Sequence, residues 1–139
     1  MEARVKLVTG MHFEATMVES GYRMEMDTAP EHGGTGPGAK PIELILAALA
    51  GCTAFDVISI LRKARQEVTG LEVVASGDRR QEDPKTFTGF HVEYVVRGRS
   101  VAEDTVKRAI DLSEEKYCSV SAILRASAPI TTSYRIVEG

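Results

Sequence analysis

The 139-residue chain has no tryptophan, 6% aromatic residues and only two cysteines. Few aromatics means few platforms on which single-stranded nucleic acid could stack. A net charge of −3 with no basic run leaves no clustered Lys/Arg surface for phosphates, so no nucleic-acid partner is expected. Two cysteines outside any CxxC pair are not a disulfide framework. His12, His32 and His91 are scattered without ligand spacing, so no metal site is expected from them. No nucleophile-elbow pattern supports a Ser/His/Asp triad. The first ten residues interleave charges and contain no apolar run of ~7–15 residues, so no secretory signal is read and the expected location is cytoplasmic. What remains is ordinary: 43% hydrophobic and 27% charged residues, near globular averages. The length suits one domain, residues 1–139, at ~100–200 residues per domain.

Polar/apolar alternation predicts three short strands over residues 3–9, 12–18 and 22–27, with Val5 and Leu7 on one face and turns at Thr9-Gly10 and Ser20-Gly21. Residues 31–40 hold four glycines and a proline. Without a GKS/GKT ending or a strand–GxGxxG–helix context they read as a mobile connector, not a phosphate loop. Pro41 suits a first helical turn, and the pattern runs as helix to about Arg65. Its apolar core, Leu44 to Phe55, is interrupted only by Thr53. That is short of the ~20 residues a membrane span needs, so a core helix buried on every side is expected, and no membrane partner. Gly51 costs about 1 kcal/mol in mid-helix, which implies that something uses the space it leaves.

Two longer strands are predicted over 71–80 and 87–97, the second placing Phe90, Val92, Tyr94 and Val96 on one face. Ser100-Val101-Ala102-Glu103 reads as a capping box that starts a helix running to Tyr117, with Val106, Ile110 and Leu112 inward. A short helix over 119–126 and a strand over 129–137 close the chain. The order β-β-β-α-β-β-α-α-β is α+β.

Cys52 and Cys118 are two buried small hydrophobes or a working redox pair, and composition leaves both readings open. Cys118, at the junction of two helices, would feel a helix N-terminus that favours thiolate. Asp56, one turn after Cys52, would hold the Cys52 pKa up unless a cation intervenes. Glu43 reads most simply as a carboxylate favoured by the helix dipole.

The segment Pro41-Ile42-Glu43-Leu44-Ile45-Leu46-Ala47-Ala48-Leu49-Ala50-Gly51-Cys52, with Lys116-Tyr117-Cys118-Ser119-Val120 far downstream, resembles the OsmC/Ohr family of osmotically inducible and organic-hydroperoxide-resistance proteins, and within it the OsmC-like branch. The resemblance spans essentially the whole chain. It implies an OsmC-like fold, antiparallel sheets around a long buried central helix, in an intertwined homodimer. It also implies a stress-response thiol peroxidase without metal, haem, flavin or other cofactor. Cys52 would be oxidised by an organic hydroperoxide to a sulfenic acid, Cys118 would condense with it to a disulfide, and a dithiol reductant would reopen the bond.

One register departs from the family pattern. Family hydroperoxide reductases carry a glutamate directly after the proline that opens the helix, paired with an activating arginine. Here Ile42 stands in that place and Glu43 follows. Nine residues of ideal helix put Glu43 about 13.5 Å and half a turn from Cys52, so it cannot touch Cys52 along its own helix. By region Arg23 is the first candidate for the activating cation, and Lys40 the second. The rival reading from another class is a non-catalytic dimer of the same fold that binds a small apolar ligand or senses redox state.

Overall fold

In the computed structural model, which describes residues 1–139, the chain gathers into two units, Met1–Ile45 and Leu46–Gly139. The first is an antiparallel meander of β1 (Ala3–Thr9), β2 (His12–Met17) and β3 (Arg23–Met26). Its turns fall where the sequence places them, with Gly10 and Gly21 at φ 54 and 74. Within a single chain Val5 and Leu7 share a face of β1 yet are each 55% exposed.

The glycine-rich segment differs from the mobile connector expected of it. It folds around the buried Asp27 carboxylate, which accepts from the backbone N–H groups of Thr28 (2.8 Å), Gly36 (2.6 Å) and Thr35 (3.3 Å). An anion belonging to the chain already fills this set of donors, which is the physical reason the segment is pinned and why it is no phosphate cradle. Gly34 is required there: a β-carbon would lie 1.7 Å from the Thr28 carbonyl oxygen.

In the second unit β4 (Glu67–Arg79) and β5 (Phe87–Arg99) form a long hairpin, and β6 (Ile130–Glu138) adds to the far side of β5. The β5–β6 pairing is parallel, Phe90 opposite Ile130 through Gly98 opposite Glu138, where antiparallel sheets were expected. The cause is the connection: a parallel neighbour needs a crossover, and α2 (Glu103–Leu112) and α3 (Ser119–Arg125) supply it. As the alternation predicts, Phe90, Val92, Tyr94 and Val96 are all buried. Val106, Ala109 and Ile110 of α2 complete the same core.

Two further expectations change. The Ser100–Glu103 capping box does not form: the N-cap of α2 is Ala102, and Ser100 takes φ 51. Distant partners claim its groups, Glu138 accepting from the Ser100 N–H and Glu103 from the Tyr134 hydroxyl. The helix also stops at Leu112, and a π-helical turn, Ser113–Tyr117, follows.

The central helix α1 (Pro41–Lys63) starts in the first unit and ends before Arg65, which is left-handed at φ 60. It is long and apolar enough to cross a membrane by length and composition. It is not buried on every side within one chain. Leu49, Thr53, Val57 and Leu61, an i, i+4 row, are its only fully covered residues, because a single layer of packing covers one stripe of a cylinder. Gly51 has nothing within 4 Å of where a β-carbon would stand.

Asp27 yields a stability prediction with a definite sign. The Thr28 N–H above all, then those of Gly36 and Thr35, hold its pKa below the ordinary 3.8 against the opposing effect of burial. A depressed carboxylate supports the fold above its unfolded pKa and loses that support as pH falls through the lowered folded value. The loop should therefore stay anchored at neutral pH and release only in acid below the usual carboxylate range. Asp27→Asn should lower the thermal midpoint at pH 7 and narrow its gap to wild type in strong acid. Gly34→Ala should cost about 1–3 kcal/mol in urea denaturation at any pH. A Gly34→Ala midpoint equal to wild type would show that the close approach is not needed.

Candidate functional site

Cys52 and Asp56 are four residues apart on α1, one helical turn, so their side chains share a face. Cys118 arrives from the break between the π-helical turn and α3. Its backbone is extended (φ −74, ψ 104), its N–H donates to the Ser113 carbonyl at 2.8 Å, and its sulfur accepts from the Ser121 N–H at 3.3 Å. The thiol thus serves as the N-cap of α3, a role usually taken by a Ser or Asp oxygen. The two sulfurs and an Asp56 carboxylate oxygen all lie within 4.8 Å of one another. Both cysteines are free; Cys52 is half-buried and Cys118 is 3% exposed.

Beneath the thiols runs a chain of buried hydroxyls. Thr53 Oγ1 lies 2.7 Å from the Tyr94 hydroxyl and 2.7 Å from Ser113 Oγ, which reaches Asp56 Oδ2 at 2.9 Å. At the other end the Tyr94 hydroxyl meets Glu114 Oε1 at 3.3 Å, and Ser121 Oγ donates to the same oxygen at 3.1 Å. Arg125 closes the chain, donating to the Glu114 carbonyl at 2.7 Å and to its carboxylate at 3.1 Å. No buried side-chain polar atom in the protein lacks a partner. From Asp56 to Glu114 there are four links, but Ser113, Thr53 and Tyr94 bring one proton each. Ser113 donates to Asp56 and Tyr94 to Glu114, so the single Thr53 proton serves one of its two 2.7 Å contacts and the other is without one.

Burial, reinforced by the Glu114 charge, pushes the Tyr94 phenol far above its usual range, so it remains a donor. Burial and then the neighbouring Cys52 thiol push the Cys118 thiol up, overcoming the opposing bonds from Ser121. This reverses the acidified Cys118 expected from a helix N-terminus: α3 is seven residues long, and desolvation of the thiolate outweighs its dipole.

The other two residues singled out from sequence have local partners in the first unit. Glu43 accepts from the Lys40 N–H at 3.0 Å while its own N–H donates to the Lys40 carbonyl, a reciprocal cap of α1. Arg23 faces Glu14 at 3.9 Å and is largely exposed. The histidines are structural or superficial; His91 is held between the Thr131 and Ser133 hydroxyls. The sequence reading has Asp56 only as a charge beside Cys52 and Tyr94 only on a core face, and it misses the roles of Thr53 and Ser113. The available signal was the Cys-x3-Asp spacing and a lone threonine inside an apolar helix.

Thr53→Val keeps the volume but removes the hydroxyl that joins Tyr94 to Ser113. Leaving buried partners short should cost about 1–3 kcal/mol, against about 0.5–1.5 kcal/mol for Tyr94→Phe. Urea denaturation measures both. A Thr53→Val midpoint equal to wild type would show the hydroxyl chain to be energetically idle.

The OsmC-like protein family profile matches residues 33–133. Protein YhfA of Escherichia coli (strain K12) is 44% identical over 138 residues, covering 99% of this chain and 98% of YhfA. A crystal structure of a hypothetical protein from Aquifex aeolicus VF5 superposes with a TM-score of 0.86 at 29% identity, covering 99% of this chain and 96% of that one. An organic hydroperoxide resistance protein from Legionella pneumophila shares the fold, with a TM-score of 0.71 at 14% identity over 96% of this chain and 94% of that one. By the extent of the profile and the near-complete span of the YhfA match, the chain belongs to the OsmC-like family.

Proposed function

We propose that the protein is a thiol-dependent peroxidase that reduces organic hydroperoxides, acting as a single domain in a cytoplasmic homodimer. The observation that carries this reading is the approach of two free thiols, 66 positions apart in sequence, to within 4.8 Å. The half-buried Cys52 meets the substrate first. Its thiolate attacks one peroxide oxygen and the O–O bond breaks; the alkoxide leaves and takes a proton to become the alcohol. Cys52 is then a sulfenic acid. The Cys118 sulfur displaces its hydroxyl, which leaves as water after taking a proton, and the Cys52–Cys118 disulfide forms. A dithiol reductant exchanges with that disulfide, becoming oxidised itself and restoring both thiols. Relatives of this fold include the hydroperoxide resistance protein of Legionella pneumophila. The apolar α1 residues on either side of Cys52, from Leu44 to Phe55 but for Thr53, support an alkyl over an inorganic peroxide.

A second copy is the proposed cover for the rest of α1, of whose apolar surface one chain buries a single row. Redox sensing without turnover is the second reading, favoured by the raised pKa of Cys118 and by Glu43 being spent on a helix cap. Arg23 is retained as the proposed activating cation.

One equivalent of an alkyl hydroperoxide should convert the reduced protein to an intramolecular disulfide, a loss of about two hydrogens in intact mass. Cys118→Ser should stop at a trappable sulfenic acid. Equal peroxide consumption by wild type and Cys52→Ser would refute the mechanism. Oxidation in one round, with no turnover on adding a dithiol, would select the sensing reading. Glu43→Gln should slow oxidation less than tenfold; a hundredfold loss, about 2.7 kcal/mol, would put Glu43 in the reaction after all.

Light scattering should return twice the 15.1 kDa chain mass. Ala48→Glu, which puts a charge on an exposed position of α1, should prevent folding. A stable wild-type monomer at micromolar concentration would remove the dimer.

A further inference from the structure

We propose that Cys52, Asp56 and Cys118 form a binding site for one thiophilic divalent cation of the zinc class. The proposal stands on the geometry of the reduced thiols and not on the peroxidase reading. Two sulfurs and a carboxylate oxygen, mutually within 4.8 Å, are a mixed soft and hard donor set suited to zinc. Tetrahedral bonds of ~2.3 Å to sulfur and ~2.0 Å to oxygen would hold the sulfurs ~3.8 Å apart and each sulfur ~3.5 Å from the oxygen, so closure needs at most about 1.3 Å of movement between any two donors. Two ligands come from one turn of α1, which fixes their spacing.

The surrounding groups orient the donors. Ser113 Oγ reaches Asp56 Oδ2 at 2.9 Å and leaves the other carboxylate oxygen available. The Ser121 N–H fixes the Cys118 sulfur at 3.3 Å. Outer-shell bonds of this kind hold metal ligands in place. Charge supplies a separate argument: Asp56 takes part in none of the ion pairs of the chain. A half-buried carboxylate beside two thiols has no countercharge from its own chain, and a divalent cation would provide it.

Binding breaks two S–H bonds and forms two metal–sulfur bonds and one metal–oxygen bond. The two protons pass to solvent, and no electron is transferred. Three protein donors leave a fourth position for water. Because both sulfurs are consumed, the metal-bound protein and the disulfide are mutually exclusive, so oxidation would release the cation.

The test is an anaerobic titration of the reduced full-length protein with Co²⁺, followed by Zn²⁺. One equivalent of cobalt per chain should give a sulfur-to-cobalt charge-transfer absorption, and one equivalent of zinc should abolish it. Cys118→Ser should halve that absorption per bound cobalt. Asp56→Asn should keep it while weakening binding about ten- to a hundredfold. Cys52→Ala, at a half-buried helix position that favours alanine, is the variant most tolerant of folding and should halve the absorption as well. Absence of a thiolate–cobalt band at equimolar micromolar concentrations would overturn the site, as would an unchanged band in either cysteine variant. Peroxide-driven disulfide formation in protein that takes up no cobalt would remove the metal site and leave the redox reading intact.

Discussion

The second unit is organised by a hydroxyl that must not be left alone. Thr53 stands in the buried row of α1 between Leu49 and Val57, where an unpaired hydroxyl would cost on the order of 1–3 kcal/mol. Its two partners come from the two elements that most need placing. Tyr94 belongs to the central strand of the sheet, and Ser113 to the first position of the π-helical turn. Satisfying one oxygen therefore fixes α1 against β5 and both against the end of α2. The π-helical turn then carries the chain from Ser113 to Cys118, whose N–H returns to the Ser113 carbonyl. The position of the second thiol is in this sense a consequence of the threonine beside the first.

What was legible in the sequence was local. Alternation at Phe90, Val92, Tyr94 and Val96 needs only the pleat of one strand, and the α1 start needs only Pro41 and the apolar run after it. What was misread depended on partners far away in sequence. Ser100 and Glu103 have the spacing of a cap, but Glu138 and Tyr134 compete for them and win. The glycines after His32 look like slack until Asp27 is seen to occupy their backbone donors. At the site, the pairing of Cys52 with Cys118 was legible only through a family resemblance, since nothing in residue spacing joins them. Asp56 was read as a nearby negative charge on Cys52, while its place between both thiols and a hydroxyl chain needed the fold.

Burial sets the chemical difference between the thiols. Cys118 is desolvated, and its one backbone donor, the Ser121 N–H, does not offset the cost of a buried thiolate. A thiol of that kind is a poor first nucleophile, and in the proposed mechanism it acts second, on a partner sulfur that is already electrophilic. Cys52 has the complementary property, access. The two sulfurs thus differ in burial alone, before any charged neighbour is considered.

The hydroxyl chain extends that asymmetry to protons. Its three hydroxyl protons serve four links, so one link is always without a proton. Ser113 donates to Asp56 and Tyr94 to Glu114, which leaves Thr53 one proton for two contacts of 2.7 Å. The two ends differ in charge compensation: Arg125 faces the Glu114 carboxylate at 3.1 Å, whereas Asp56 joins no ion pair. The chain is continuous only while its middle members each keep a hydroxyl. A valine in the row of α1, or a phenyl ring in place of the β5 phenol, would divide it between its two carboxylates.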